Sequence, residues 1–207
     1  MTGILALGTA LVLGFLHALE VDHMVAVTAF VSRRPTLPAA LAFSLRWGLG
    51  HSLAVFAAGA ILLATGLSWS PGFSGVLEGA VGVALVAVGI WSLRTARKLH
   101  PHHPVEHGTH RHGITSVGLL HGLAGTSAVV ALIPVTLLED TGLGLAYLAL
   151  FGIGVTGGMI VFALVAALTL GRAAANSELW GRRVTRYAGL GSIGVGLWWL
   201  GRVFAAG

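Results

Sequence analysis

The chain has 207 residues, is 56% hydrophobic and only 9% charged, and has a mean hydropathy of +0.89 with a formal net charge of +5. A soluble domain is roughly a quarter charged, so this composition excludes a globular surface in water, and its apolar content excludes a disordered chain. The absence of Cys excludes a disulfide framework, and the scatter of basic residues over short segments argues against a nucleic-acid partner.

A helix needs about 20 apolar residues to cross the hydrocarbon. Six stretches meet this and predict an all-α polytopic bundle: 3–31, 39–65, 74–97, 114–138, 142–171 and 184–205. The runs are long and do not alternate, which argues against a β-barrel. Met1-Thr2-Gly3 has no basic n-region, so the first stretch reads as a retained span. Arg33-Arg34-Pro35 closes it, Ser70-Pro71-Gly72 separates the second span from the third, and Glu139-Asp140 the fourth from the fifth. Ten of the 12 basic residues fall in the 1–2, 3–4 and 5–6 connections: Arg33 and Arg34; Arg94, Arg97, Lys98 and Arg111; Arg172, Arg182, Arg183 and Arg186. The positive-inside rule puts these connections in the cytoplasm of a bacterial cytoplasmic membrane and both termini outside. Trp69, Trp180, Trp198 and Trp199 read as interface anchors.

The chain resembles itself. Gly14-Phe15-Leu16-His17 matches Gly118-Leu119-Leu120-His121 at an offset of 104 residues, and Gly48-Leu49-Gly50 matches Gly152-Ile153-Gly154 at the same offset. Val88-Gly89-Ile90-Trp91 matches Val195-Gly196-Leu197-Trp198 at 107. Three spans per half is an odd number, so the halves insert with opposite topology, a transporter architecture whose site lies at the repeat interface. The expected organisation is one membrane domain: a three-helix repeat over 1–98, a His-rich cytoplasmic loop over 99–113 and a second repeat over 114–207.

His17, Glu20, Asp22, His23, His51 and His121 fall inside these spans. An ionisable group at mid-bilayer costs about 2.5–3.5 kcal/mol on insertion scales, so four in the first span need compensation, which a divalent cation supplies by taking imidazole and carboxylate together. At ~100° per residue, His17, Glu20 and His23 share a helix face and Asp22 lies off it. Either the helix unwinds there, or Asp22 acts through a hydrogen bond to an imidazole N–H. Gly48 and Gly50 allow close helix approach, so His51 is within reach of the first span. His121 is the repeat partner of His17. Thr126 and Ser127 stand where the first half has Asp22 and His23; with Thr156 they are expected to line the second half of the pore.

His100, His102, His103, His107, His110 and His112 in the 3–4 loop form a metal-capture tract by composition. Mixed imidazole and carboxylate donors suit Ni²⁺, Co²⁺, Zn²⁺ or Fe²⁺, whereas Mg²⁺ and Ca²⁺ prefer oxygen and Cu(I) prefers sulfur.

His17-Ala18-Leu19-Glu20-Val21-Asp22-His23 resembles the H-x4-D-H signature of the nickel/cobalt permease family (NiCoT, within the NicO group), and Leu49-Gly50-His51-Ser52-Leu53-Ala54-Val55 resembles its second motif, L-G-H-S-x-V-V. The length is similar to that of the short six-span members that serve ureases. The resemblance implies nickel or cobalt movement across the cytoplasmic membrane, with metal recognition at His17, Asp22 and His23. The family's D-T-A-T-E and D-x-x-D motifs are absent. Where efflux members read Pro-Gly-His this chain reads Val21-Asp22-His23, which favours uptake.

The expected activity is therefore that of a secondary permease without enzymatic chemistry or an organic cofactor; the chain has no Walker A motif. Ni²⁺ or Co²⁺ is its substrate, and the bilayer and a cytoplasmic metallochaperone are its partners. Efflux is the alternative, and an intramembrane metalloenzyme a remoter one, since H-E-x-x-H is absent.

Overall fold

The computed structural model describes residues 2–32, 35–66, 71–96, 110–123, 135, 138, 140–176 and 178–206. Among these the protein is all-helical: α1 Thr2–His17, α2 Val21–Val31, α3 Leu37–Thr65, α4 Pro71–Ala96, α5 His110–Leu123, α6 Thr141–Asn176 and α7 Glu178–Ala206. Among the described residues, four helices are singly long and apolar enough to cross a membrane; α1 and α2 add a fifth span if taken together. Apolar side chains such as Leu49, Leu53, Val83 and Ile153 stand largely exposed on their outer faces, as lipid rather than water as solvent requires.

The first span is broken, one of the two alternatives its sequence left: α1 and α2 meet at 56° across residues 18–20. One sequence expectation changes: the 5–6 connection is largely helical, because α6 runs to Asn176 and α7 begins at Glu178, so Arg172, Arg182 and Arg183 are helical. Charge marks where a helix leaves the hydrocarbon, not where it ends, and Ala173-Ala174-Ala175 keeps it wound. At 36 residues, α6 is about 54 Å long, well beyond a ~30 Å core. The fourth predicted span is described only to Leu123. Trp180 and Trp198 are exposed as expected of anchors, but Trp199 is buried.

Helix α6 packs on α1 and α3, α5 on α3, α4 on α7, and α2 on α7. Glycine permits the close approaches, and these approaches come in pairs. A Cβ at Gly14 would strike the Phe151 carbonyl, and one at Gly118 the Trp47 carbonyl. Gly154 lies against the Leu11 carbonyl and Gly50 against that of Thr115. In each pair the residues of one contact stand 104 positions from their counterparts in the other, with the halves exchanged. The α4–α7 crossing does the same at 107, with Gly82 on the Gly196 carbonyl and Gly189 on the Gly89 carbonyl.

Where α3 crosses α6, Ser52 Oγ donates to the Gly152 carbonyl at 2.9 Å and lies 3.1 Å from Thr156 Oγ1. These two hydroxyls are themselves 104 residues apart. Ser52→Ala is expected to lower thermal stability in detergent by about 1 kcal/mol, one hydrogen bond's worth, without changing metal binding.

Candidate metal centre

The break between α1 and α2 builds one side of the site. Leu19 and Glu20 donate backbone N–H groups to the Leu16 and His17 carbonyls at 3.0 Å each, tightening the end of α1. Glu20 then takes an extended conformation (φ −67°, ψ 152°) as the residue before α2. Asp22 in the first turn of α2 accepts the His23 backbone N–H at 2.8 Å through Oδ1, where a carboxylate meets the positive end of the helix dipole. His17 sits at the opposite pole, the carbonyl end of α1, which favours a cation.

The remaining ligand candidates arrive from other helices. His51 is the middle residue of the 29-residue α3, and His121 lies in the last described turn of α5, two residues before Leu123. A Cβ on Gly122 would press into the His51 carbonyl, so glycine is what lets α5 bring His121 beside α3. All four imidazoles and Asp22 are buried, His23 and His51 completely. The break resolves the geometric difficulty of the first span: with α2 tilted away from α1, His17, Glu20, Asp22 and His23 converge with His51 and His121.

The carboxylates orient imidazoles. Glu20 Oε1 lies 3.0 Å from His17 Nδ1, Asp22 Oδ1 3.1 Å from His23 Nδ1, and Asp22 Oδ2 3.1 Å from His121 Nε2. A carboxylate only accepts, so each of these nitrogens donates its N–H and the ring's other nitrogen carries the lone pair. Among the described residues, His23 Nε2 and both nitrogens of His51 are buried without a hydrogen-bond partner. Each such group costs about 1–3 kcal/mol, and a cation accepting a lone pair removes that cost for His23 Nε2 and for the unprotonated nitrogen of His51. Ligand atoms of His17, His23 and His51 lie within 4.8 Å of one another, as do those of Asp22, His23 and His121.

Sequence reasoning missed two aromatic walls. The Phe151 ring lies 5.8 Å from His17 and the Trp47 ring 5.7 Å from His121. Their positions, like those of the two histidines, differ by 104, so the repeat offset was the signal that could have found them. Thr156 is at the Ser52 crossing. Thr126 and Ser127, and His100, His102, His103 and His107 of the loop, lie outside the described residues; His110 and His112 are in the first turn of α5. A cavity of about 420 Å³ adjoins the break, bounded by Glu20, Asp22, Val195, Trp198, Trp199 and Arg202.

Fold and cluster together define an integral membrane protein whose polar centre suits a divalent cation. The chain is 33% identical to "Urease accessory protein UreH" of Bacillus sp. (strain TB-90) over 174 residues, 78% of this chain and 75% of that protein. It is 32% identical to "Putative nickel/cobalt efflux system MJ1092" of Methanocaldococcus jannaschii over 152 residues, 70% of this chain and 68% of that one. With this identity over most of both relatives, the chain belongs to the nickel/cobalt permease family. No protein-family model matches it, and no solved structure does.

Proposed function

We propose that this protein carries Ni²⁺ or Co²⁺ across the cytoplasmic membrane, inward, as a secondary permease. The observation that carries the reading is the convergence of His17, Asp22, His23, His51 and His121 in one buried cluster, with Glu20 holding His17. His17, Asp22 and His23 take the metal as it sheds water, with Glu20, His51 and His121 completing the site. The names of the two relatives support nickel and cobalt as substrates. An inside-negative potential favours inward movement by ~2.3 kcal/mol per charge per 100 mV, twice that for a dication. The 420 Å³ cavity beside Glu20 and the C-terminal part of α7 is the approach from the face bearing both termini, which the basic connections orient outward.

The bundle is read as six spans in two inverted repeats, 1–98 and 114–207, supported by the exchanged contacts at offsets of 104 and 107. Rocking of these halves gives alternating access. The tract from His100 to His112 gathers metal on the cytoplasmic side and Thr126, Ser127 and Thr156 line the second half of the pore.

Proteoliposomes containing only this chain test the reading. With an imposed inside-negative potential, radiolabelled Ni²⁺ or Co²⁺ is expected to accumulate, and His17→Ala to reduce uptake to the level of empty vesicles. Unchanged uptake by that variant would refute the site. Efflux is favoured by one relative's name; cells expressing the chain would then hold less nickel and tolerate more of it.

A further inference from the structure

The cluster contains two ligand sets, not one, and they share a single imidazole. The His23 ring lies between His17 and His121 in nearly mirrored geometry. Its centroid is 4.8 Å from that of His17 with the planes at 75°, and 4.5 Å from that of His121 with the planes at 73°. His17 and His121 occupy equivalent positions at the 104-residue offset. His51 completes the arrangement at 5.4 Å from His17 and 6.4 Å from His121. The close groups that result are His17, His23 and His51 on one side, and Asp22, His23 and His121 on the other.

Resting on the transport reading above, we propose that the metal ion occupies these two overlapping positions in turn. It is handed from the three-imidazole set to the carboxylate-containing set across His23. His23 offers Nε2, which is buried and unpartnered, to the first position, and Nδ1, now 3.1 Å from Asp22, to the second. In the second position His23 and His121 are the opposite tautomers: the Nδ1 proton of His23 moves to the Nε2 that the ion has left and the Nε2 proton of His121 moves to its Nδ1, so that each turns a lone pair to the ion in place of the N–H it gives Asp22. Sharing His23 and lying a few ångströms apart, the positions exclude each other, because two dications so close repel strongly. The physical advantage is that the ion passes between adjoining donor sets: His17 and His51 are released as Asp22 and His121 are gained, with His23 facing both positions. A single deep site holding every donor at once would bind tightly and release slowly, whereas conduction needs binding weak enough to leave.

The test is Co²⁺ binding to the purified full-length protein, read by calorimetry and by counting coordinated imidazoles from X-ray absorption. His17→Gln and His121→Gln keep an amide N–H for Glu20 and Asp22 respectively, and His17→Asn and His121→Asn replace them if either fails to purify. The expected result is three imidazoles on Co²⁺ in H121Q and two in H17Q. Adding Asp22→Asn should then weaken binding by more than about 100-fold in the H17Q background, where a ligand is lost, and by about 10–100-fold in H121Q, where only the group orienting His23 is lost. Equal imidazole counts in H17Q and H121Q, or an equal effect of Asp22→Asn in both, would overturn the two-position scheme while leaving the transport reading intact. Wild-type protein that binds neither Co²⁺ nor Ni²⁺ would overturn both.

Discussion

His51→Leu is expected to make the metal-free protein more stable and the metal-treated protein less so. The side chain is completely buried at the centre of α3, and neither ring nitrogen has a hydrogen-bond partner among the described residues. Replacing it with an apolar group of similar bulk removes an uncompensated polar burial worth about 1–3 kcal/mol. For a chain of this length that corresponds to a rise of roughly 2–6 °C in the melting temperature measured without metal. The wild type should instead gain about 2.7 kcal/mol from Ni²⁺ or Co²⁺ at 100 times its Kd, and His51→Leu should gain little of this. Thermal unfolding in detergent, with and without metal, reads both effects. The idea fails if the leucine variant melts several degrees lower without metal and still responds fully to it. A polar group that costs stability at rest is the expected signature of a residue kept for its ligand.

Gly154→Leu and Gly157→Leu, three residues apart on α6, should behave as opposites. A Cβ at Gly154 meets the Leu11 carbonyl and lies 2.9 Å from the Phe15 nitrogen, both backbone atoms of α1. No side-chain rotation relieves that collision, so α1 must move. Overpacking against a rigid neighbour costs 1–3 kcal/mol and often more; about 3 kcal/mol or more is expected here, with loss of metal uptake because α1 carries His17. A Cβ at Gly157 meets nothing within 4 Å, and Leu is a better helix former by about 0.8 kcal/mol, so this variant should fold and transport like the wild type. Yield of monodisperse protein and proteoliposome uptake compare the two directly. Similar damage from both would mean that glycine serves α6 as a flexible point, and that the α1–α6 contact is not what requires it.

Much of the site was legible before any coordinates. Buried charge is so costly in lipid that the run from His17 to His23 stood out as a candidate ligand set, and the off-face position of Asp22 called for either a distortion in the first span or a hydrogen bond from Asp22 to an imidazole. The structure puts that distortion at residues 18–20, where the backbone leaves the helix and Glu20 turns extended. The relation of His121 to His17 was legible from the internal offset, whereas the glycines flanking His51 face Thr156 of α6 and Thr115 of α5, not the first span. That Asp22 accepts from an imidazole was one of the two readings, but which imidazole was not legible, and the carboxylate in fact spans His23 and His121. The helical character of residues 172–176 and 178–183 was hidden because charge reports the edge of the hydrocarbon and carries no information about backbone winding. Trp199 was misread for a related reason: a tryptophan near a span end suits an anchor, but rotation of α7 turns it inward, while the Arg202 guanidinium sits 5.3 Å over Trp198 and 5.5 Å over Trp199.

The amino-acid order alone determined that the chain lives in lipid, which ionisable side chains it buries there and how far along each span they lie, because solvation energy and helical rise depend only on local composition and spacing. Tertiary structure alone decided which nitrogen each carboxylate holds, which aromatic rings wall the cluster, and that His23 stands between two donor sets. Those outcomes depend on how far each helix rotates and how closely it approaches its neighbour. That is settled by backbone contacts at Gly14, Gly50, Gly118 and Gly154 with residues distant in the chain.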